Sequence, residues 1–181
     1  MNTPTHSALL LVDGYNIIGS WTSLKLTRDR DGLESARQEL VERLLNYTTH
    51  QGYKTQIVFD SQYQKTTSTE ELYGPHLSVY FTAWTQTADT YIEKFCAAFS
   101  RKQDRASPRL IVATSDRDQQ LTVVGYGAEC MSAQLLAQNV EQSIQGIKRQ
   151  QRSRSKQSSR FLFHSLDAKA REKLAQWRHG S

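Results

Sequence analysis

Short apolar runs that end on an acid or a turn residue recur along the chain, with helical periodicity between them. Ala8–Val12 is a run without polar interruption, and it closes on Asp13-Gly14. An apolar run of that length reads as a strand buried on both faces, the environment of a parallel sheet. Leu33, Ala36, Leu40, Leu44 and Leu45 share one face of a predicted helix over Leu33–His50, which Gln51-Gly52 stops. The next predicted strand is Lys54–Phe59, closing on Asp60, and another follows at Leu77–Phe81. A helix is expected over Thr87–Arg101, with Ile92, Phe95, Cys96 and Phe99 apolar. Arg109–Ala113 is the fourth strand, and Thr114-Ser115-Asp116 opens a helix toward Val124. Ala128–Met131 reads as a short fifth strand. A helix from Ser132 runs into a basic segment, and Asp167–Trp177 reads as a last short helix. Two stretches carry no clear period and are expected as loops: the region around Trp21, and Ser61–Pro75. Strands alternating with helices in this order predict a three-layer α/β domain around a central parallel sheet.

Charge divides the chain in two. From Gln142 to the end there are ten Lys and Arg against two acids, a balance of +8, whereas the first 141 residues carry −3. The expected organisation is a domain over 1–147 and a basic C-terminal segment over 148–181. Lys148, Arg149, Arg152, Arg154, Lys156 and Arg160 occur there without an intervening acid. Such a run either contacts phosphates or is simply a solvated, disordered tail. No apolar run approaches a membrane span, and no signal-peptide core follows the polar start Met1–Ser7, which points to the cytoplasm. Cys96 and Cys130 read as free thiols of a reducing compartment, and the five histidines lack the spacing of a zinc site.

The candidate chemistry is acidic. In a right-handed parallel sheet the carboxyl ends of all strands share one rim, so Asp13, Asp60 and Asp116 are expected there together. Asp89 and Glu93 share a face at i, i+4 in the first turns of the helix after the third strand. Asp118 follows Asp116 by two residues, and Asn16 adds a neutral oxygen near Asp13. Clustered carboxylates repel unless a cation neutralises them, and an oxygen-only site suits Mg²⁺ or Mn²⁺. Each residue also has a structural reading. Asp13-Gly14 forms a turn, with Gly14 letting the backbone bend. Asp89 and Asp116 complement helix N-termini, Thr87 is an N-cap, and Ser115 with Asp118 has capping-box spacing.

The motifs VDGYNIIGSW, TADTYIEKF and VATSDRDQQ, in that order, resemble the YacP-like branch of the NYN domains, within the PIN-like nucleases. The ending LDAKAREKLAQWRHG is similar as well. The resemblance implies a Rossmann-like PIN/NYN fold and a Mg²⁺- or Mn²⁺-dependent endoribonuclease. It further implies RNA as partner, with bacterial members associated with ribosome-linked cleavage of messenger RNA. By motif, Asp13, Asp89 and Asp116 are the implied acidic core, with Asn16, Glu93 and Asp118 as accessory ligands.

The expected mechanism is hydrolysis of a phosphodiester by cation-activated water. The competing class is a non-catalytic RNA- or ribosome-binding module. A phosphatase of the haloacid-dehalogenase type is disfavoured, because Tyr15 stands where its second aspartate belongs. Thr114 and Ser115 are read as caps or as water-positioning groups. Tyr15, Trp21, Tyr63 and Trp84 are read as core or loop anchors, with base stacking as the alternative.

Overall fold

The computed structural model describes residues 7–61, 67–102 and 107–165, with side chains to residue 152. Tyr63 and the expected helix Asp167–Trp177 lie outside the described residues. Contacts divide the chain into two units, Met1–Ser143 and Ile144–Ser181.

In the first unit a six-stranded sheet is built from β1 (Ala8–Asp13), β2 (Tyr53–Phe59), β3 (Thr69–Leu72), β4 (Leu77–Phe81), β5 (Arg109–Ala113) and β6 (Glu129–Met131). Their spatial order is β3-β4-β2-β1-β5-β6. Every pairing is parallel except β3 with β4. Strand β1 lies between β2 and β5, with Asp13 opposite Val58 and Val12 opposite Ala113. Its position explains the uninterrupted apolar run, since both faces are covered.

Leu11 and, partly buried, Leu9 face one layer together with Val58, Leu110 and Val112. That layer contains Ala88, Ile92 and Cys96 of α4 (Ala88–Lys102) and Val123 of α5 (Arg117–Gly125). The alternate residues Leu10, Val12 and Ile57 are fully buried. They point away from that layer, toward α1 (Gly14–Ser20) and α3 (Leu33–Gln51), on which α2 (Thr22–Asp31) packs. Gly52 ends α3 in the left-handed conformation, φ 66°, as its place after the last helical residue predicts. The helix α6 (Ala133–Ser165) begins in the first unit, and its backbone remains helical through the basic run of the second.

Three expectations differ from the structure. The region around Trp21 is two helices rather than a loop, because Trp21 alone interrupts them as the C-cap of α1 and the N-cap of α2. Its indole is buried and donates from Nε1 to Ala133 O at 2.7 Å. The helical period of α2 is invisible because Leu24 is its only buried residue. Within Ser61–Pro75, Thr69–Leu72 forms the antiparallel edge strand, so the sheet is not wholly parallel. All four of its residues are exposed, leaving no apolar alternation to read, and Glu70 and Glu71 charge the edge against further pairing.

Gly14 is the third difference. It is the first residue of α1, and a Cβ there would lie 2.2 Å from the Phe59 ring. Space, rather than backbone freedom, demands glycine. Gly14→Ala is therefore expected to destabilise the protein by about 1–3 kcal/mol in urea unfolding, the usual cost of overpacking. Adding Phe59→Leu should recover part of that loss; equal stability of Gly14→Ala and wild type would show that the ring yields freely.

Candidate active site

The parallel strands deliver their carboxyl ends to one rim, and local hydrogen bonds hold each acid there. Asp13 caps α1, its Oδ1 accepting from Asn16 N at 3.2 Å. Asp60, just past β2, accepts at Oδ1 a short hydrogen bond from Ala88 N. This bond ties the end of β2 to the start of α4, one residue before Asp89. Thr87 completes that start as expected, with Oγ1 accepting from Thr90 N at 3.2 Å. Asp116 caps α5, accepting from Asp118 N at 2.9 Å and Gln119 N at 3.2 Å. The N-cap is thus Asp116 rather than Ser115, and the expected Ser115/Asp118 capping box does not form. Ser115 serves elsewhere, its Oγ accepting from Ala133 N.

Asp13 is 8% exposed, and its pKa is raised from 3.8 to about 6. Burial is the main cause, with the Asp89 and Asp60 charges adding to it, while the Asn16 N–H and the Gln119 amide oppose it. Asp89 is exposed yet also raised, by desolvation first and then by Asp116, Asp60 and Glu93. A carboxylate serving only the helix dipole would shift the other way. The Asp89 charge in turn acts on Asp13, so the two carboxyls are electrostatically coupled.

The predicted residues therefore separate. Asp13 and Asp89 are brought together, with Asp60, Asp116 and half-buried Glu93 within electrostatic reach. Asn16 acts as a strut, its Oδ1 accepting from Ser115 N at 2.7 Å and joining the ends of β1 and β5. Asp118 is exposed and enters the rim through its backbone N–H. Thr114 is buried; its Oγ1 accepts from Asp116 N at 3.1 Å, which fits a capping role. Among the aromatics, Trp21 is buried, whereas Trp84 is 58% exposed. Tyr15 packs its ring at a tilt against Phe59 and accepts from Arg37 Nη1 at 2.8 Å. Lys148, Arg149 and Arg152 lie on α6 in the second unit, as do Arg154, Lys156 and Arg160, whose side chains are outside the description.

Sequence reasoning missed Gln119. It is 2% exposed, its Nε2 donates to Asp89 Oδ1 at 2.5 Å, and its amide lowers the Asp13 pKa. Its position three residues after the Asp116 cap was the available signal.

Among the described residues, no three Asp, Glu, His or Cys side chains converge as a ready-made metal cage. The donor set still fits a hard cation that keeps much of its water. Mg²⁺ is commonly bound through one or two carboxylates, and here the buried Asp13 bears the added charges of Asp89 and Asp60, which a cation would offset.

The chain matches the family described as "YacP-like NYN domain" over residues 10–179. It belongs to the YacP-like NYN family. The curated protein YacP of Bacillus subtilis (strain 168), described as uncharacterized, is 31% identical over 172 residues, 95% of this chain and 97% of that protein. The crystal structure of Rae1 (YacP) from Bacillus subtilis matches with TM-score 0.67 and 30% identity, covering 95% of each chain. A crystal structure of a point mutant of that protein matches with TM-score 0.68 and 30% identity, covering 93% of this chain and 98% of that one. The mostly parallel sheet flanked by helices is thus the PIN-like fold of this nuclease-type family. No described helix is long and apolar enough to cross a membrane.

A raised carboxyl pKa makes metal-free stability depend on pH. The unfolded Asp13 ionises near pH 4 and the folded one near 6, so stability is fully present below about 4 and falls as pH rises to 6. The shift corresponds to about 3 kcal/mol at pH 7. Asp13→Asn is therefore expected to be more stable than wild type at pH 7 in a chelator, with the advantage gone at pH 4. Urea unfolding at the two pH values checks this, and a constant difference between the proteins would contradict it.

Proposed function

We propose that this chain is a divalent-metal-dependent endoribonuclease, using Mg²⁺ or Mn²⁺, that cleaves messenger RNA in a ribosome-linked, cytoplasmic setting. The observation that carries the reading is the buried Asp13 under the charges of Asp89 and Asp60, on the rim of a nuclease-type fold. A single folding advantage does not account for it, because each charge destabilises the other.

Asp13 and Asp89 would hold the cation, with Asp116 and Glu93 adding negative potential or ligation through water. When bound, the cation supplies an activated water and offsets charge on the phosphate. Asn16 keeps β1 and β5 in register through its bond to Ser115 N, so Asp13 and Asp116 hold their spacing. Asp60 fixes the start of α4 and thereby Asp89. Asp118, with its exposed side chain, is assigned an outer role. Lys148, Arg149, Arg152, Arg154, Lys156 and Arg160, within the segment 148–181, supply phosphate contacts that hold RNA without choosing its sequence.

Single-stranded RNA, and messenger RNA on translating ribosomes, should be cleaved in Mg²⁺ or Mn²⁺. Asp13→Asn and Asp89→Asn should each lower cleavage about a hundredfold or more while remaining folded. Full activity of both variants, or an inert wild type in both settings, defeats the proposal. Ribosome binding that persists without cleavage would instead favour the binding-module alternative.

The basic segment gives a separate expectation. Replacing Lys148, Arg149 and Arg152 by Ala should reduce the slope of log affinity against log salt by about 0.7 for each lost single-strand phosphate contact. An unchanged slope would remove these residues from the RNA interface.

A further inference from the structure

Gln119 presents an imbalance that its packing does not explain. One end of its amide is in use, with Nε2 donating to Asp89 Oδ1. The other end, Oε1, is buried without a hydrogen-bond partner among the described residues. Leaving a buried acceptor unpaired costs about 1–3 kcal/mol, which a leucine or methionine of similar size would avoid. The backbone around it is firmly placed, since Gln119 N donates to the Asp116 cap and the residue lies in the first turn of α5.

The geometry also limits where Oε1 can be. An amide holds its oxygen and nitrogen about 2.2 Å apart. With Nε2 2.5 Å from Asp89 Oδ1, Oε1 stays within about 5 Å of that carboxylate. Oxygens on opposite sides of a Mg²⁺ or Mn²⁺ ion, each about 2.1 Å from it, are separated by a similar span. The amide's terminal torsion is soft and roughly two-fold, so a half-turn about it exchanges an N–H contact for an oxygen contact.

We propose that Gln119 is the neutral arm of the cation site. Its Nε2 holds the Asp89 carboxylate in the cation-free protein, and its Oε1 supplies a third oxygen when a divalent cation is bound by Asp13 and Asp89. Two carboxylates and one amide make a ligand set that neutralises a divalent charge without excess. A third acid is then unnecessary, in keeping with the absence of a three-acid cage among the described residues. The inference rests on the metal-dependent reading above, and it extends that reading to a residue outside the acidic motifs' carboxylates.

The test is Mn²⁺ binding, followed by the loss of the free-ion electron paramagnetic resonance signal, for wild type, Gln119→Met and Gln119→Glu. Thermal melts in chelator confirm that each variant is folded. Gln119→Met should raise the Mn²⁺ dissociation constant about tenfold or more, and Gln119→Glu should lower it. Equal or tighter binding by Gln119→Met overturns the proposal, because that is the result if the amide merely competes with the cation for Asp89. Should Gln119→Met fail to fold, the wild-type protein decides the matter. The Gln119 side-chain carbonyl carbon, observed by nuclear magnetic resonance, should shift on Mg²⁺ addition and saturate with the binding curve. A resonance that does not move overturns the proposal. Mn²⁺ binding without RNA cleavage would defeat the nuclease reading and leave Gln119's role standing, whereas no Mn²⁺ binding by wild type would defeat both.

Discussion

Asp13 is held where most of its hydration is lost, at the end of a strand covered on both faces, and the rest of the rim is arranged around that penalty. The Asn16 N–H and the Gln119 amide compensate part of it, while Asp89 and Asp60 add to it. The sheet imposes this conflict, because parallel neighbours end on the same side and bring their acids with them. Relief comes mainly from backbone N–H groups at helix starts, which is why three of the acids double as tethers. Asp13 starts α1, Asp116 starts α5, and Asp60 binds the first residue of α4.

This double duty weakens the usual opposition between a structural and a functional reading of an acidic residue. A capping aspartate uses one oxygen on the backbone and leaves its charge and second oxygen directed at the rim. Asp116 shows both aspects, accepting from two backbone N–H groups while still raising the pKa of Asp89. Asp89 differs from these three, since a side chain rather than a backbone N–H holds its Oδ1.

Much of this was legible in the sequence, for identifiable reasons. Central strands announce themselves because burial on both faces forbids polar residues, so β1 and β5 fall close to where the apolar runs place them. The acids were legible because they end those runs. The parts that were not legible are those stabilised by backbone pairing or by contacts far along the chain. Strand β3 has no buried residue, α2 has one, and the requirement for Gly14 comes from a ring 45 positions later. Gln119 escaped notice because a glutamine in a polar helix start is ordinary until its neighbours in space are known. The family's motifs carried the functional reading further than periodicity alone could.

The bond from Asn16 to Ser115 spans 99 positions of the chain. Strand β1 leaves the ribosome early, yet its neighbour β5 and the amide of Gln119 emerge only after most of the first unit has been made. Contacts of such separation form late, because a long loop must close before they return any stabilisation. During synthesis, Asp13 and Asp89 therefore exist as two solvated side chains long before they form a pair. The acidic rim is a property of the finished domain, and a nascent chain still short of α5 carries the first two motifs without the site.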